Sequence, residues 1–407
     1  MPDSPITQVI RLILGLLLLI WILVLAESAS SEEFAVPHGG SPYVDLDRLN
    51  VGEIVHLPTG IRVSLDQMID TLSGARVIYF GETHDNLEAH RAQAELIRGL
   101  DGRFPGRIAV GMEMFRRPAQ PGLDRWARNE MDAKEFRRLF QSNWGSGFKM
   151  YEPIFDYLHQ HSIPLLGLKS GRELENRFRN EGPGQVDFPE IDTEDPYHRP
   201  YAMSTFGGHT SPLLEKPYLM LLLWEETMAE TVAAFLRDPL NRDKKLVVLA
   251  GGFHVQYGFG IPRRAFRRVP HAYSIVLPVT TELPEELKDR EMKVEHVSIP
   301  LYAADFAWKM DYKVFPAPKV KLGVRLEEES GGLKVTAVSP GSNADRAEVR
   351  KGDLIVSLDG NPIAEVELLV DQLRGKSFGD VARLSVRREE NEMELPVILN
   401  ESPSPKP

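Results

Sequence analysis

Ala75-Arg76-Val77-Ile78-Tyr79-Phe80 runs directly into Gly81-Glu82-Thr83-His84-Asp85-Asn86. A short, almost wholly apolar run of this kind reads as a strand buried on both faces, because a half-wet strand would alternate. Three further runs share the character: Arg107 to Met114, Ile163 to Leu168 and Leu246 to Phe253. Patterns of helical period lie between and around them, over Leu87 to Leu100, Asp124 to Phe140, Tyr151 to His161 and Tyr218 to Leu236. Strand alternating with helix predicts an α/β domain built on a mostly parallel sheet with flanking helices. Asp85 is placed to cap the first helix, and Glu88 to complete a capping box.

In open α/β sheets, ligands bind beyond the carboxyl ends of the strands. Polar residues stand at each such end: Glu82 and His84, then Glu113, then Lys169-Ser170, then Gly251-Gly252-Phe253-His254. If these strands are parallel neighbours, Glu82, His84, Glu113 and His254 converge on one rim. Two carboxylates and two imidazoles suit a divalent ion or a general acid–base pair. Singly, each has a plainer reading, as a structural histidine, a cap or a surface charge. Glu113 is the most telling, since it interrupts Ile108-Ala109-Val110-Gly111-Met112 and Met114, where an unpartnered charge is costly. Within Tyr218 to Leu236, Glu226 and Glu230 are expected on a solvated face, and Glu225 either there or at the rim. The methionines Met112, Met114, Met220 and Met228 read as core filler, and Arg116-Arg117 as surface charge.

The chain has 407 residues, 42% hydrophobic and 26% charged, an ordinary globular composition that sets aside collagen, wholesale disorder and multi-span membrane protein. A formal net charge of −11 disfavours non-specific nucleic-acid binding. With no Cys, disulfides, thiolate metal sites, iron–sulfur clusters, a cysteine nucleophile and a lipoprotein anchor are excluded. Arg11 precedes an apolar run from Leu12 to Ala26, followed by the small-residue cleavage candidates Ala26-Glu27-Ser28 and Ser28-Ala29-Ser30. Residues 1–30 therefore read as a signal peptide, or alternatively as a single N-terminal membrane anchor, with the rest of the chain in or facing the periplasm. Residues 31–60 read as an entry segment. Residues 180–213, rich in Gly, Pro and Asp and carrying His198, Tyr201 and His209, read as a lid or binding loop.

At Phe315-Pro316-Ala317-Pro318 the composition changes to that of a small β-rich unit over residues 319–400. Strands are expected over Leu333 to Val338 and Leu354 to Leu358, a short helix over Val366 to Leu373, and a hairpin of Val381 to Arg388 with Met393 to Leu399. Residues 401–407 read as a disordered tail.

In order, Gly81-Glu82-Thr83-His84-Asp85-Asn86, Gly111-Met112-Glu113-Met114-Phe115, Trp224-Glu225-Glu226-Thr227-Met228-Ala229, Gly251-Gly252-Phe253-His254-Val255 and Gly260-Ile261-Pro262-Arg263 resemble the ChaN-like haem-binding uptake family of the Tiki superfamily. The resemblance covers roughly residues 45–315. It implies haem iron as cofactor, with Tyr151, Tyr201, Tyr257 or His209 as candidate ligands. Members of the superfamily that are metal-dependent hydrolases imply the alternative, with Glu82, His84, Glu113 and His254 as catalytic or metal-binding residues. The C-terminal unit resembles the PDZ domain of HtrA-type proteases through Lys321-Leu322-Gly323-Val324, Val338-Ser339-Pro340-Gly341-Ser342-Asn343-Ala344-Asp345 and Val349-Arg350-Lys351-Gly352-Asp353-Leu354-Ile355. That resemblance implies an envelope partner or peptide C-terminus whose carboxylate is held by backbone N–H groups of Leu322, Gly323 and Val324. Haem, such a peptide and a second copy of the chain in a homodimer are thus the expected partners.

Overall fold

The computed structural model describes residues 43–184, 187–205, 214–281, 301–315 and 318–401. The N-terminal apolar run, His209 and the tail beyond residue 401 lie outside the described residues. Among the described residues no helix is long and apolar enough to cross a membrane.

The larger unit is an eight-stranded sheet of β1 (Ile54–His56), β2 (Ile61–Val63), β3 (Val77–Glu82), β4 (Ile108–Arg116), β5 (Leu165–Lys169), β6 (Lys245–Gly251), β7 (Tyr273–Thr280) and β8 (Phe306–Met310). Its order is β2-β1-β8-β7-β3-β6-β4-β5. The pairs from β8 to β5 are all parallel, and the hairpin β1–β2 closes the far edge antiparallel. Its helices are α1 (Leu65–Leu72), α2 (Leu87–Arg103), α3 (Gln120–Ala127), α4 (Ala133–Asn143), α5 (Phe148–Gln160), α6 (Arg172–Glu181), α7 (His198–Thr205), α8 (Glu215–Arg237) and α9 (Ile261–Arg268). The uniform apolarity of β3 has its reason in the two cores. Ile78 and Phe80 pack on one face beneath α1, α2 and the Phe-rich α4–α5 pair, and Val77 and Tyr79 on the other beneath α8 and α9.

Several expectations need correction. β1 lies inside the presumed entry segment, and β7 and β8 extend the sheet beyond the four strands read from sequence. The helix expected over Asp124 to Phe140 is two, because Asn129 turns left-handed at φ 59° and Asp132 caps a new helix by accepting from Glu135 N–H. The cap of α2 is Asn86, not Asp85: its Oδ1 accepts from the N–H groups of Glu88 and Lys313. The region 180–213 is no structureless loop, since it contains α7.

The smaller unit holds β9 (Val324–Glu329), β10 (Gly332–Val338), β11 (Leu354–Leu358), β12 (Asn361–Pro362), β13 (Val381–Arg388) and β14 (Asn391–Ile398), with α10 (Asn343–Arg346) and α11 (Val366–Arg374). The order β14-β13-β11-β10-β9 leaves β9 at an edge, and β12 pairs with β11. Its core is separate, built from Leu333, Val335, Ile355, Leu384 and Val386 among others. The two units touch where Gln141 Nε2 donates to Glu365 Oε2 at 2.8 Å, Lys149 Nζ meets Asp371 at 2.7 Å, and Arg374 lies over the Phe315 ring.

Candidate functional site

Because β3, β6, β4 and β5 are parallel neighbours, their carboxyl ends form one rim. Glu82 lies opposite Gly251 in the β3–β6 register. The β4–β5 ladder is irregular between Met112 and Arg116, and in that stretch Glu113 faces the rim. Gly251 keeps the strands' ends open to side chains: a Cβ there would sit 3.0 Å from His84 Nε2 and 3.6 Å from Glu113 Oε2. Glu82, His84, Glu113 and His254 are thus gathered at one place, as two pairs.

The first pair centres on buried Glu82. Its Oε1 accepts from the Tyr151 hydroxyl at 2.5 Å and lies 2.7 Å from His84 Nδ1, and its Oε2 accepts from Gln93 Nε2 at 2.7 Å. Burial alone would push the Glu82 carboxyl up, but His90, His84 and the Tyr151 hydroxyl outweigh it and hold it below the usual carboxylate range. The His84 imidazole is raised in turn: burial lowers it, and Glu82 and Glu113 more than compensate. Its ring packs against Trp144.

The second pair extends into a buried chain of charges. Glu113 Oε2 accepts from Gly251 N–H at 2.9 Å, and Lys169 Nζ and His254 Nε2 lie 3.2 and 3.5 Å from its Oε1. On its other side His254 Nδ1 is 3.1 Å from Glu225 Oε1, and Glu225 also meets His198 at 2.8 Å and Arg264 at 3.2 Å. Burial disfavours the His254 cation, yet Glu113 and Glu225 raise its pKa to about 10, so it stands as an imidazolium between two carboxylates. Glu113 lies well below the usual range; burial opposes this, and His254, Lys169 and His84 overcome it.

Residues 68–265 match the family model described as haem-binding uptake, Tiki superfamily, ChaN, and residues 320–399 match the PDZ domain model. The chain joins a ChaN-like domain to a PDZ domain. A solved structure of ChaN of Campylobacter jejuni with cofacial haem binding aligns at 20% identity over 63% of this chain and 95% of that one, with TM-score 0.49. The HtrA3 PDZ domain bound to the phage-derived ligand FGRWV aligns at 24% identity over 20% of this chain and 84% of that one, TM-score 0.18. The HtrA-type protease AlgW with a decapeptide aligns at 20% identity over 21% of this chain, TM-score 0.20, and the match spans 30% of the protease chain. No curated protein matches the chain.

The rim of the ChaN-like domain does not fit a resident divalent ion as arranged. Among the described residues no group of three or more His, Asp or Glu side chains is disposed to hold one. The reason is the donor set itself, because each carboxylate is already taken up by hydroxyl, amide, ammonium or imidazolium donors.

The aromatic residues fit a porphyrin better. Tyr201 stacks on Phe253 at 4.7 Å and meets Tyr257 edge-on at 5.6 Å; Tyr257 and exposed Tyr197 both stack on Phe259. This half-buried aromatic surface adjoins His254 through Phe253. The Tyr201 hydroxyl donates to Gln256 Oε1 at 3.0 Å. Burial, then Tyr257 and Glu225, hold the Tyr201 phenol above its ordinary range. Tyr151 is placed differently. It is fully enclosed in the aromatic core with its hydroxyl on Glu82, so it props the carboxylate and offers no face to a macrocycle.

Sequence reasoning passed over Gln93, His90, Trp144 and Arg264, and named Lys169 at a strand end and His198 in the lid without their carboxylate partners. Arg264 carried a signal, as an arginine on the short helix that follows Gly260-Ile261-Pro262. Glu226, expected in water, is fully buried against Arg264, Arg267 and Arg268, while Glu230 is half-exposed beside Arg117. Arg116 is not a surface charge: it pairs at 2.7 Å with buried Glu175.

In the PDZ domain, Gly323 takes φ 83° in the Leu322–Val324 loop, and a Cβ there would lie 2.3 Å from Ser342 Cβ. The loop opens onto a cavity of about 320 Å³ between β9 and α11, lined by Leu322, Val324, Leu326, Leu369 and Leu373.

Proposed function

We propose that this chain is an exported haem carrier of the bacterial envelope, which binds haem on the Tyr201–Tyr257 surface and captures a partner's C-terminus through the PDZ groove. The observation that carries the reading is the stacked, half-buried aromatic surface bearing two phenols, beside the rim of a domain whose family model is one of haem-binding uptake. Haem bound there would supply a ferric centre able to take a deprotonated phenol as ligand. The chain's own part is to offer flat apolar contact through the half-buried Phe253 and Tyr257, with buried Phe259 backing them, and to orient Tyr201 through Gln256. Since burial holds the Tyr201 proton tightly, ligation releases it, and affinity rises with pH. The PDZ groove offers the open edge of β9 and an apolar pocket, the two elements a peptide terminus uses. Support for export is the apolar run Leu12 to Ala26, acting as signal or anchor to place both domains on the periplasmic side.

The test is a haemin titration followed by visible absorption. A saturable, red-shifted Soret band that is lost in Tyr201→Phe or Tyr257→Phe and kept in Tyr151→Phe supports the reading. A response no different from free haemin, or one insensitive to both surface tyrosines, overturns it.

A further inference from the structure

The peptide groove does not end at the PDZ domain. Side chains of β9 alternate, so Val324, Leu326 and Glu328 share the groove face, and that face reads apolar, apolar, acidic away from the carboxylate loop. At this far end a second cavity, of about 550 Å³, opens between the two domains. Asp85, Gln141 and Met150 of the ChaN-like domain line one side, and Glu328, Val366 and Val370 of the PDZ domain the other. Val366 and Val370 also line the apolar groove, so the two spaces lie side by side along α11. Glu328 is exposed, and its Oε1 accepts from Val366 N–H at 3.0 Å across the mouth of the groove. The cation on the cavity wall, Arg374, is occupied by Asp371 and the Phe315 ring.

A peptide added antiparallel to β9, with its carboxylate at Leu322–Val324, runs upstream toward Glu328. From Val324 to Glu328 is four residues, about 13 Å at the strand rise. The fourth residue before the terminus therefore arrives between Glu328 and the Asp85 wall. Building on the peptide-capture reading above, we infer that this groove takes a polypeptide C-terminus with an apolar last side chain and a Lys or Arg four residues upstream, and that the ChaN-like domain forms the far wall of that site. The apolar pocket selects the last residue, and the carboxylates Glu328 and Asp85 select the upstream cation. Glu328 exchanges its bond to Val366 N–H for a charge-assisted one.

The test uses the full chain and two fluorescein-labelled decapeptides ending in Val, identical except for Lys or Glu at the fourth residue upstream, read by anisotropy. The Lys peptide is expected to bind about tenfold tighter at low salt, and the preference to shrink as salt is raised. Glu328→Gln should bring the two peptides within about twofold, and Glu328→Lys should reverse their order. Asp85→Asn should weaken the Lys peptide alone, by two- to threefold. Equal affinity for both peptides, or a preference that survives in Glu328→Gln, overturns the upstream-cation inference while leaving peptide capture intact. An effect of Glu328 with none of Asp85 overturns the part assigned to the ChaN-like domain. Absence of binding by either peptide overturns peptide capture itself, and this inference with it.

Discussion

Arg264 is the residue on which the buried end of the rim depends. Its guanidinium is 1% exposed and serves two fully buried carboxylates on α8, Glu225 at 3.2 Å and Glu226. Arg264→Met fills much of the same space and removes the charge. Breaking a buried ion pair from one side costs roughly 3–5 kcal/mol, because the partner is left buried and uncompensated. Here His254 and His198 remain for Glu225, and Arg267 and Arg268 for Glu226, so the lower end of that range, about 3 kcal/mol, is expected. The assay is urea unfolding followed by tryptophan emission. Trp126, Trp144, Trp224 and Trp308 lie in the ChaN-like domain, Trp21 in the N-terminal apolar run and none in the PDZ domain, so the change in emission on unfolding reports the ChaN-like domain and not the PDZ domain. With a urea slope of about 3 kcal/mol per molar, the midpoint should fall by about 1 M. Arg117→Ala is the control: its partner Glu230 is half-exposed, and such a pair contributes under about 1 kcal/mol. Should Arg264→Met shift the midpoint no more than Arg117→Ala does, the buried charge chain is not a stabilising element and the reasoning fails.

Gly260→Ala should destabilise the same domain by about 1–3 kcal/mol or more in a thermal melt, since its Cβ would lie 2.3 Å from the His254 carbonyl oxygen and 2.8 Å from Glu225 Oε1; an unchanged melting temperature refutes this. Tyr151→Phe removes a buried donor from Glu82 and should cost about 1–3 kcal/mol by the same urea assay; no loss would mean that His84 and Gln93 suffice. In the PDZ domain, Asp353 accepts from both Arg388 Nε and Nη2 and from Arg350 N–H. Burial raises its carboxyl, but Arg388 and the Arg350 N–H outweigh that and hold it below the ordinary value. A depressed carboxyl stabilises the fold above its unfolded pKa, near 3.9, and that contribution is lost as pH falls through the folded value. Hydrogen exchange at β11 and β13 should therefore accelerate on acidification below about pH 4, and Asp353→Asn should flatten that dependence; identical pH profiles in the two proteins contradict it.

Much of the architecture was legible in the chain because buried parallel strands leave a local mark. Val77 to Phe80 and Leu246 to Ala250 are apolar on both sides because helices cover both faces of the sheet, and polar residues stand where each strand ends. The rim followed from that pattern, since Glu82, His84, Glu113 and His254 each sit at a strand end. The PDZ loop Leu322-Gly323-Val324 was equally visible. Strands β1, β2, β7 and β8 were not: β1 and β2, at three residues each, are too brief for a period to register, and β7 and β8 were not separated from the segments around them.

What each rim residue is paired with could only be decided in three dimensions. Sequence spacing places Glu225 and Glu226 on a helix but cannot say that α9 packs there and brings Arg264 to both. The partner of a buried charge is set by which elements pack together, not by neighbours along the chain. The same holds for Tyr151 and Tyr201, two tyrosines alike as candidate ligands on paper. Packing puts one inside the aromatic core, bonded to Glu82, and leaves the other half-exposed on a stacked surface. Composition and period thus determined the layers, the strand ends and the two domains, because those depend on local burial. Charge pairing, ligand access and the cavity between the domains depend on contacts between residues far apart in the chain, and only the tertiary structure decides them.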